Sequence, residues 1–268
     1  MFSRCCTLAL LVLSPVMLAP ETAARFDAFV EAAERAMDQR SDPVRFLHSA
    51  GNMGLKATLR RGETVIEKVP DDEYPMPGAI PDGSHDWRGM IFFPGATLLQ
   101  VRTALEDYDH YKLFYKPKVI ESNIVSHRGD EWDIFLRLYA HYIVSVALNS
   151  HYRVHYAVLD PHRMTVVSRS TRIAEAKNAN GPYAEEEPVG KDDGFLWRLN
   201  SYWRFEEADG GVYAECEAIS LSRGVPLGLG WMLKGFLDQF PKDSMRNTLE
   251  GTRTAVLSLS NADGRGAR

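Results

Sequence analysis

Polar and apolar residues alternate along much of the chain after Val119. "VIESNIVSHRG", "EWDIFLRLYAHYI", "ALNSHYRVHYAVLD", "RMTVVSRSTRIAEA", "FLWRLNSYWRFEEA" and "GVYAECEAISLS" predict six strands in succession. The fifth splits cleanly by parity. Phe195, Trp197, Leu199, Ser201, Trp203 and Phe205 share one face, and Leu196, Arg198, Asn200, Tyr202 and Arg204 share the other. Asp209-Gly210 between the last two strands is a two-residue hairpin signal. That turn fixes the register: Ala208 faces Gly211, Phe205 faces Ala214, Arg204 faces Glu215, Trp203 faces Cys216 and Tyr202 faces Glu217.

Helical spacing appears on either side of this block. In "RFDAFVEAAERAMDQR", Phe26, Phe29, Val30, Ala33 and Met37 form one stripe. "KATLRRGETVIEKV" predicts a strand, and "PDDEYPMPGAIPDGSHD" a linker or surface loop. "HDWRGMIFF" predicts a strand that ends at Pro94 and Gly95. It leads into a helix over "ATLLQVRTALEDY", with Leu98, Val101, Leu105 and Tyr108 on one side. "DHYKLFYKPKV" is irregular and aromatic. Near the end, "VPLGLGWMLKGFLDQF" is apolar and Gly-rich. "KDSMRNTLEGTRTAVLSLS" predicts a helix with Pro241 in its first turn and Met245, Leu249, Thr252 and Val256 facing inward. Strands followed by a terminal helix argue for an α+β fold, with an antiparallel sheet curved around that helix and a cavity between them.

The first residues have a different character. "MFSR", then the apolar "CCTLALLVLSPVMLA", then the small residues of "PETAA" have the order of a secretory signal peptide. The expected division is a signal peptide over 1–24, an N-terminal extension over 25–81, a main domain over 82–259 and a disordered tail over 260–268. A secreted or periplasmic location follows, with an uncleaved membrane anchor as the rival reading. Cleavage would leave Cys216 as the sole thiol, which excludes an internal disulfide in the mature chain. A formal net charge of −5 gives no sign of a nucleic-acid binder.

"DWRGMIFFPGATLLQVRTALEDYDHY", "STRIAE", "GFLWRLNSYWRFEEADGGVYAECEAISLSRGVPLGLGW" and "FPKDSMRNTLEGTR" together resemble the START-like, or polyketide cyclase/dehydrase-like, superfamily, and its exported bacterial members in particular. The resemblance spans about residues 82–259. It implies a helix-grip fold: a seven-stranded antiparallel sheet around a long C-terminal helix, with a tunnel for a hydrophobic ligand. Some members are cyclases or partners of hydroxylases; many carry or sense lipids or quinones. The segment 25–81 is a departure that the resemblance does not explain.

The second sheet face carries the unusual chemistry. Asp133, Arg137, Tyr139 and His141 share it with Asn149, His151, Arg153, His155, Arg169, Arg204, Glu215 and Glu217. Between Lys118 and Lys177 there is no lysine but there are six arginines, the residue suited to planar, partly desolvated ion pairs. Two readings stay open at this point. The residues are a structural lattice on the convex side, under the N-terminal segment, or some of them line the tunnel and hold a ligand's polar head. The candidate ligand-binding set is Tyr139, Arg153, Arg169, Tyr202, Trp203, Arg204, Phe205 and Glu215, with Trp231, Met232 and Phe236 as a gate or lid whose glycines permit opening.

No H-E-x-x-H, G-x-S-x-G or phosphate-loop pattern is present, so neither metal, cofactor nor nucleophile is nominated. The expected function is non-catalytic binding or transfer of a lipid, quinone or isoprenoid by a monomer, with transient contact to a membrane surface. The alternatives are a cyclase or aromatase using the same cavity, and an envelope protein that binds a protein partner through the Arg/His face.

Overall fold

The computed structural model describes residues 16–41, 45–76, 78–141, 145–177, 185–189, 191–223 and 230–266, with backbone alone at 16 and 191 and over 230–240 and 260–266. After a two-residue strand, Val16–Met17, that pairs apart from the main sheet with Lys191–Asp192, come helix α1 (Pro20–Asp38), α2 (Met53–Arg60) and strand β1 (Val65–Lys68). Strand β2 (Ser84–Pro94) leads into α3 (Leu98–Glu106) and the single turn α4 (Tyr111–Phe114). Six strands follow: β3 (Val119–Arg128), β4 (Glu131–His141), β5 (Ser145–Asp160), β6 (Arg163–Lys177), β7 (Arg198–Ala208) and β8 (Gly211–Leu221). Helix α5 (Gly230–Gly266) closes the fold.

The sheet is antiparallel, in the order β1-β2-β8-β7-β6-β5-β4-β3, with Glu185–Glu186 as a ninth short strand on β6. The seven strands from β2 to β8 are those the sequence predicts, β1 falls within the longer strand expected over "KATLRRGETVIEKV", and the two-residue strand on β6 is an addition. The β7–β8 register is the predicted one, from Ala208–Gly211 through Arg204–Glu215 to Tyr202–Glu217. Asp209 and Gly210 both have positive φ, 54° and 76°, which is the geometry of a two-residue hairpin turn twisted with its strands.

Local sequence explains the helix boundaries. Thr97 and Gln100 form a capping box at the start of α3. Asn52 caps α2 by accepting from the Leu55 N–H. That cap corrects the strand expected over "KATLRRGETVIEKV": its first part is helical, Gly62 turns the chain at φ 91°, and the strand covers Val65–Lys68 alone. Pro241 lies within α5 rather than at its start, and helical backbone extends through 260–266, beyond the predicted end.

Two cores lie on opposite faces of the sheet. On the concave face, Met245, Leu249 and Val256 of α5 pack with Ile91, Phe93, Trp203, Phe205 and Cys216, and with Leu98, Val101 and Leu105 of α3. A Cβ at Gly89 would come within 2.9 Å of Leu249 and Met245, so this glycine lets α5 lie directly on β2. On the convex face, Phe26, Phe29, Val30, Ala33 and Met37 of α1 pack on Trp197, Tyr202, Ile219 and Leu221. Phe46, Leu47 and Leu59 cover Met90, Phe92 and Tyr213 beside them. Each side of the sheet therefore buries its own set of side chains.

Trp197 departs from the parity reading. The strand begins at Arg198, after Gly194 turns the chain at φ 74°, so the indole joins the convex core with α1 instead of lying in line with Leu199. Its Nε1–H donates to Asp192 Oδ1 at 3.0 Å.

Candidate functional site

The Arg/Glu face is the convex one, and it is covered. Arg88, Glu215 and Glu217 are 1%, 2% and 1% exposed. Arg88 donates through Nε to Glu217 at 3.0 Å, and the Tyr74 hydroxyl donates to the same carboxylate. Glu215 accepts from the His48 backbone N–H at 2.5 Å and from Arg40 at 3.3 Å. Arg204 donates to the Met37 carbonyl and lies 5.2 Å from the Phe46 ring centroid. Tyr202 and Arg169 both donate to Glu34 of α1, at 2.8 and 2.7 Å. Of the two sequence readings, this is the structural lattice: its partners are residues of the N-terminal segment.

One member of that layer lacks such partners. Neither carboxylate oxygen of Asp86, 6% exposed, finds a hydrogen bond. Burial first, and then the charge of Glu217, push its pKa up to about 9.

Toward the far edge of the sheet the predicted residues spread apart. Arg153 pairs with Asp133 at 3.2 Å on the surface, and the Tyr139 hydroxyl donates to Ser145. His155 pairs with Glu131, His141 bonds Ser145, and His151 stands edge-on to Phe135. No group of three potential metal ligands converges among the described residues. Trp203 and Phe205 are alone among the placed candidates in facing α5. They stack on each other at a centroid distance of 5.4 Å and are buried in the concave core. The side chains of Trp231, Met232 and Phe236 lie outside the described residues; their backbone belongs to α5.

The concave face divides into two halves. Across the row of Gly89, Cys216, Trp203, Val166 and Tyr156 it is filled. One row further along the strands lie Trp87, Ala218, Ser201 and Ser168, and beyond them Leu199, Ser170 and Tyr152. On β7 and β8 small side chains thus follow larger ones, Ser201 after Trp203 and Ala218 after Cys216, whereas Trp87 follows Gly89 on β2 and the row of Ser168 continues into buried Val154; of the seven, all but Tyr152 are only partly buried. Ser170 accepts from the Leu199 N–H at 3.0 Å. Tyr152 and Ser150, neighbours on this face of β5, are buried, and neither hydroxyl finds a partner at full hydrogen-bond geometry. Burial raises the Tyr152 pKa, and the neighbouring Ser150 hydroxyl, near enough to hydrogen-bond weakly, counters it. Sequence parity already put Ser150, Ser168, Ser170 and Ser201 on the apolar side of their strands, a signal the candidate set missed.

At the rim of this wall Glu175 accepts from the backbone N–H groups of Phe195 and Asp193, at 2.9 and 3.1 Å, and so holds the turn before β7. Burial lifts its pKa to about 7, against the pull of the Phe195 N–H. On the opposite flank, Tyr108, Tyr111, Tyr115 and Tyr156 cluster between α3, α4 and the sheet. Each hydroxyl is already engaged: Tyr108 with Tyr156 at 2.5 Å, Tyr111 with the Leu105 carbonyl and Tyr115 with Thr252. A separate cleft of about 310 Å³ lies at the outer edge, between Leu59, Phe92, Pro94, Arg253 and Leu257.

No helix of the described residues is long and apolar enough to cross a membrane. No family model matches the chain, and no curated protein does. Solved structures do match. A STAR-related lipid transfer protein fragment from Xanthomonas axonopodis is 17% identical, with a TM-score of 0.50 over 71% of this chain and 98% of its own. Human StAR-related lipid transfer protein 5 is 14% identical, with a TM-score of 0.47 over 89% and 99%. An aromatase/cyclase from a Streptomyces species is 14% identical, with a TM-score of 0.44 over 69% and 98%. The curved antiparallel sheet, the C-terminal helix lying in it and the first of these likenesses agree: the chain has the START-like helix-grip fold.

Proposed function

We propose that the protein binds a hydrophobic small molecule, such as a lipid, quinone or isoprenoid, against the concave wall beneath the first half of α5, and carries it without changing it. One observation supports this most. The wall passes from tightly filled, at Trp203 and Phe205, to small and partly exposed, at Ser201, Ala218 and Ser168 in the next row and Ser170 in the one beyond. A core built only for packing fills such positions with larger apolar groups, because each unfilled methyl-sized volume costs about 1 kcal/mol. A mostly apolar wall with a few placed hydroxyls is the composition of a small-molecule site. The fold is shared with a protein described as a lipid transfer protein, which is in keeping with the reading.

The tyrosine cluster bears on the enzymatic alternative. A cyclase needs an acid or base free to meet its substrate, and these hydroxyls are committed to neighbours within the fold. In the proposed arrangement α5, with glycines at 230 and 235, is the cover over the wall, and a signal peptide delivers the protein to an export compartment. Native mass spectrometry of protein purified from its producing cells, followed by organic extraction, tests the proposal. A co-purifying hydrophobic molecule of unaltered mass is expected. Protein that is uniformly free of such a passenger, and takes none up from a lipid extract, overturns it.

A further inference from the structure

The two faces of the sheet are sorted by charge, and the sorting limits what the concave wall can hold. Arg88, Arg137, Arg153, Arg169 and Arg204, with Asp86, Glu215 and Glu217, all lie on the convex side, where each of the arginines has a partner. The facing rows on the concave side are neutral: Trp87, Ala218, Ser201, Ser168, Ser170 and Tyr152. On the same face of β6, two residues past Ile173, stands Glu175, whose carboxylate is tied to the turn before β7. His85 lies on the same face of β2, in the row of Leu199 and Ser170. Among the described residues of these rows a ligand anion would lose its hydration, find neither lysine nor arginine, and meet the acid at the rim. Burying an uncompensated charge in this way is strongly unfavourable.

The wall nevertheless offers hydrogen bonds. The hydroxyls of Tyr152 and Ser150 sit on the same face of β5, 4% and 0% exposed as residues; neither meets a partner at full hydrogen-bond geometry, and the polar group that influences Tyr152 is Ser150 itself. A buried hydroxyl left without a well-formed hydrogen bond is a standing cost, removed when a ligand supplies the missing partner. Taking the carrier reading as its basis, we infer that the ligand is an uncharged, oxygen-bearing hydrophobic molecule, an alcohol, ketone or quinone, whose oxygen is engaged by Tyr152 and Ser150. The large body of the ligand lies along the serine-lined rows, and the single polar atom sets its direction. Phospholipids and fatty-acid anions are disfavoured by the same wall.

A matched series of fifteen-carbon probes tests this on the delipidated full-length protein: farnesol, farnesoic acid at pH 8, and the hydrocarbon farnesene. Farnesol is expected to bind at least about tenfold more tightly than either of the others, since a site built around a hydrogen bond discriminates against ligands that cannot return it. In Tyr152→Phe the advantage of farnesol over farnesene collapses, while the ligand-free variant melts no lower than the parent because it has lost a poorly paired hydroxyl. Equal or tighter binding of the acid, or an undiminished farnesol preference in Tyr152→Phe, overturns the inference and leaves the carrier reading standing. If none of the three binds, the extracted natural passenger decides: a neutral oxygenated molecule supports the inference, a charged one overturns it, and no passenger at all removes the carrier reading itself.

Discussion

At the scale of single residues, Asp86 is the most exposed to a simple test. Its carboxylate is buried without a hydrogen bond beside Glu217, and its pKa of about 9 lies far above the unfolded value near 3.9. Between about pH 4 and pH 9 the folded protein therefore holds a proton that the unfolded chain has released. The unfolded state binds fewer protons over that window, so stability falls as pH rises through it and the loss is complete above pH 9. Asp86→Asn keeps the shape and removes the titration. In urea unfolding series the variant should gain at least about 1 kcal/mol over the parent at pH 8 and converge with it near pH 4. Parallel stability curves from pH 4 to pH 9 would sink the idea that this site carries the proton. Glu217→Gln should go the other way at every pH in that window. It removes the nearest of the three carboxylates around buried Arg88, leaving Glu67 and Glu73 at 3.5 Å, a loss of roughly 1–3 kcal/mol measured in the same titrations.

Elements show how far sequence reasoning reaches and where it stops. Strand periodicity and the Asp209-Gly210 turn were enough to place Arg204 opposite Glu215 and Trp203 opposite Cys216, because hairpin register is a local property. Which face turns inward is not local. Both faces of β7 are buried, one by α5 and one by α1, so parity separates two sets of side chains without ranking them. The partners that settle the matter lie far off in sequence: Glu215 meets His48 across 167 positions and Arg204 meets Met37 across the same span. Trp197 escaped parity for a different reason, the turn at Gly194 that precedes the strand. Gly89 has the same long-range character; nothing near it in sequence announces α5, yet a Cβ there would come within 2.5 Å of Leu249. Gly89→Ala should cost about 1–3 kcal/mol by forcing Met245 and Leu249 off β2. Chemical denaturation is the measure, and Leu249→Ala in the same chain should restore part of the loss; two strictly additive losses would show that the close approach at Gly89 does not matter.

For the molecule as a whole, the N-terminal segment is the feature that sequence division misplaces most easily. It reads as an appendage ahead of a helix-grip domain. In the fold its strand β1 joins the sheet beside β2, its helix α1 fills the convex core, and Arg40, His48 and Tyr74 complete the lattice around Glu215 and Glu217. An outward sheet face with buried acids and arginines is tenable only while that cover is in place, because uncovered it would trade ordered pairs for solvated, screened charges and expose Ile219 and Leu221. Cover and grip should therefore unfold as one cooperative unit. Phe29→Ala, which empties a buried position of α1, is expected to lower stability by about 3–5 kcal/mol. Far-UV circular dichroism and tryptophan fluorescence should shift together, since Trp197 reports the convex core and Trp203 the concave one. A separate early transition confined to one probe would instead mark the segment as an independent attachment. The affinity of the concave wall for its ligand, measured below the transition, should be unchanged in Phe29→Ala, because α1 touches the face of the sheet that the ligand does not.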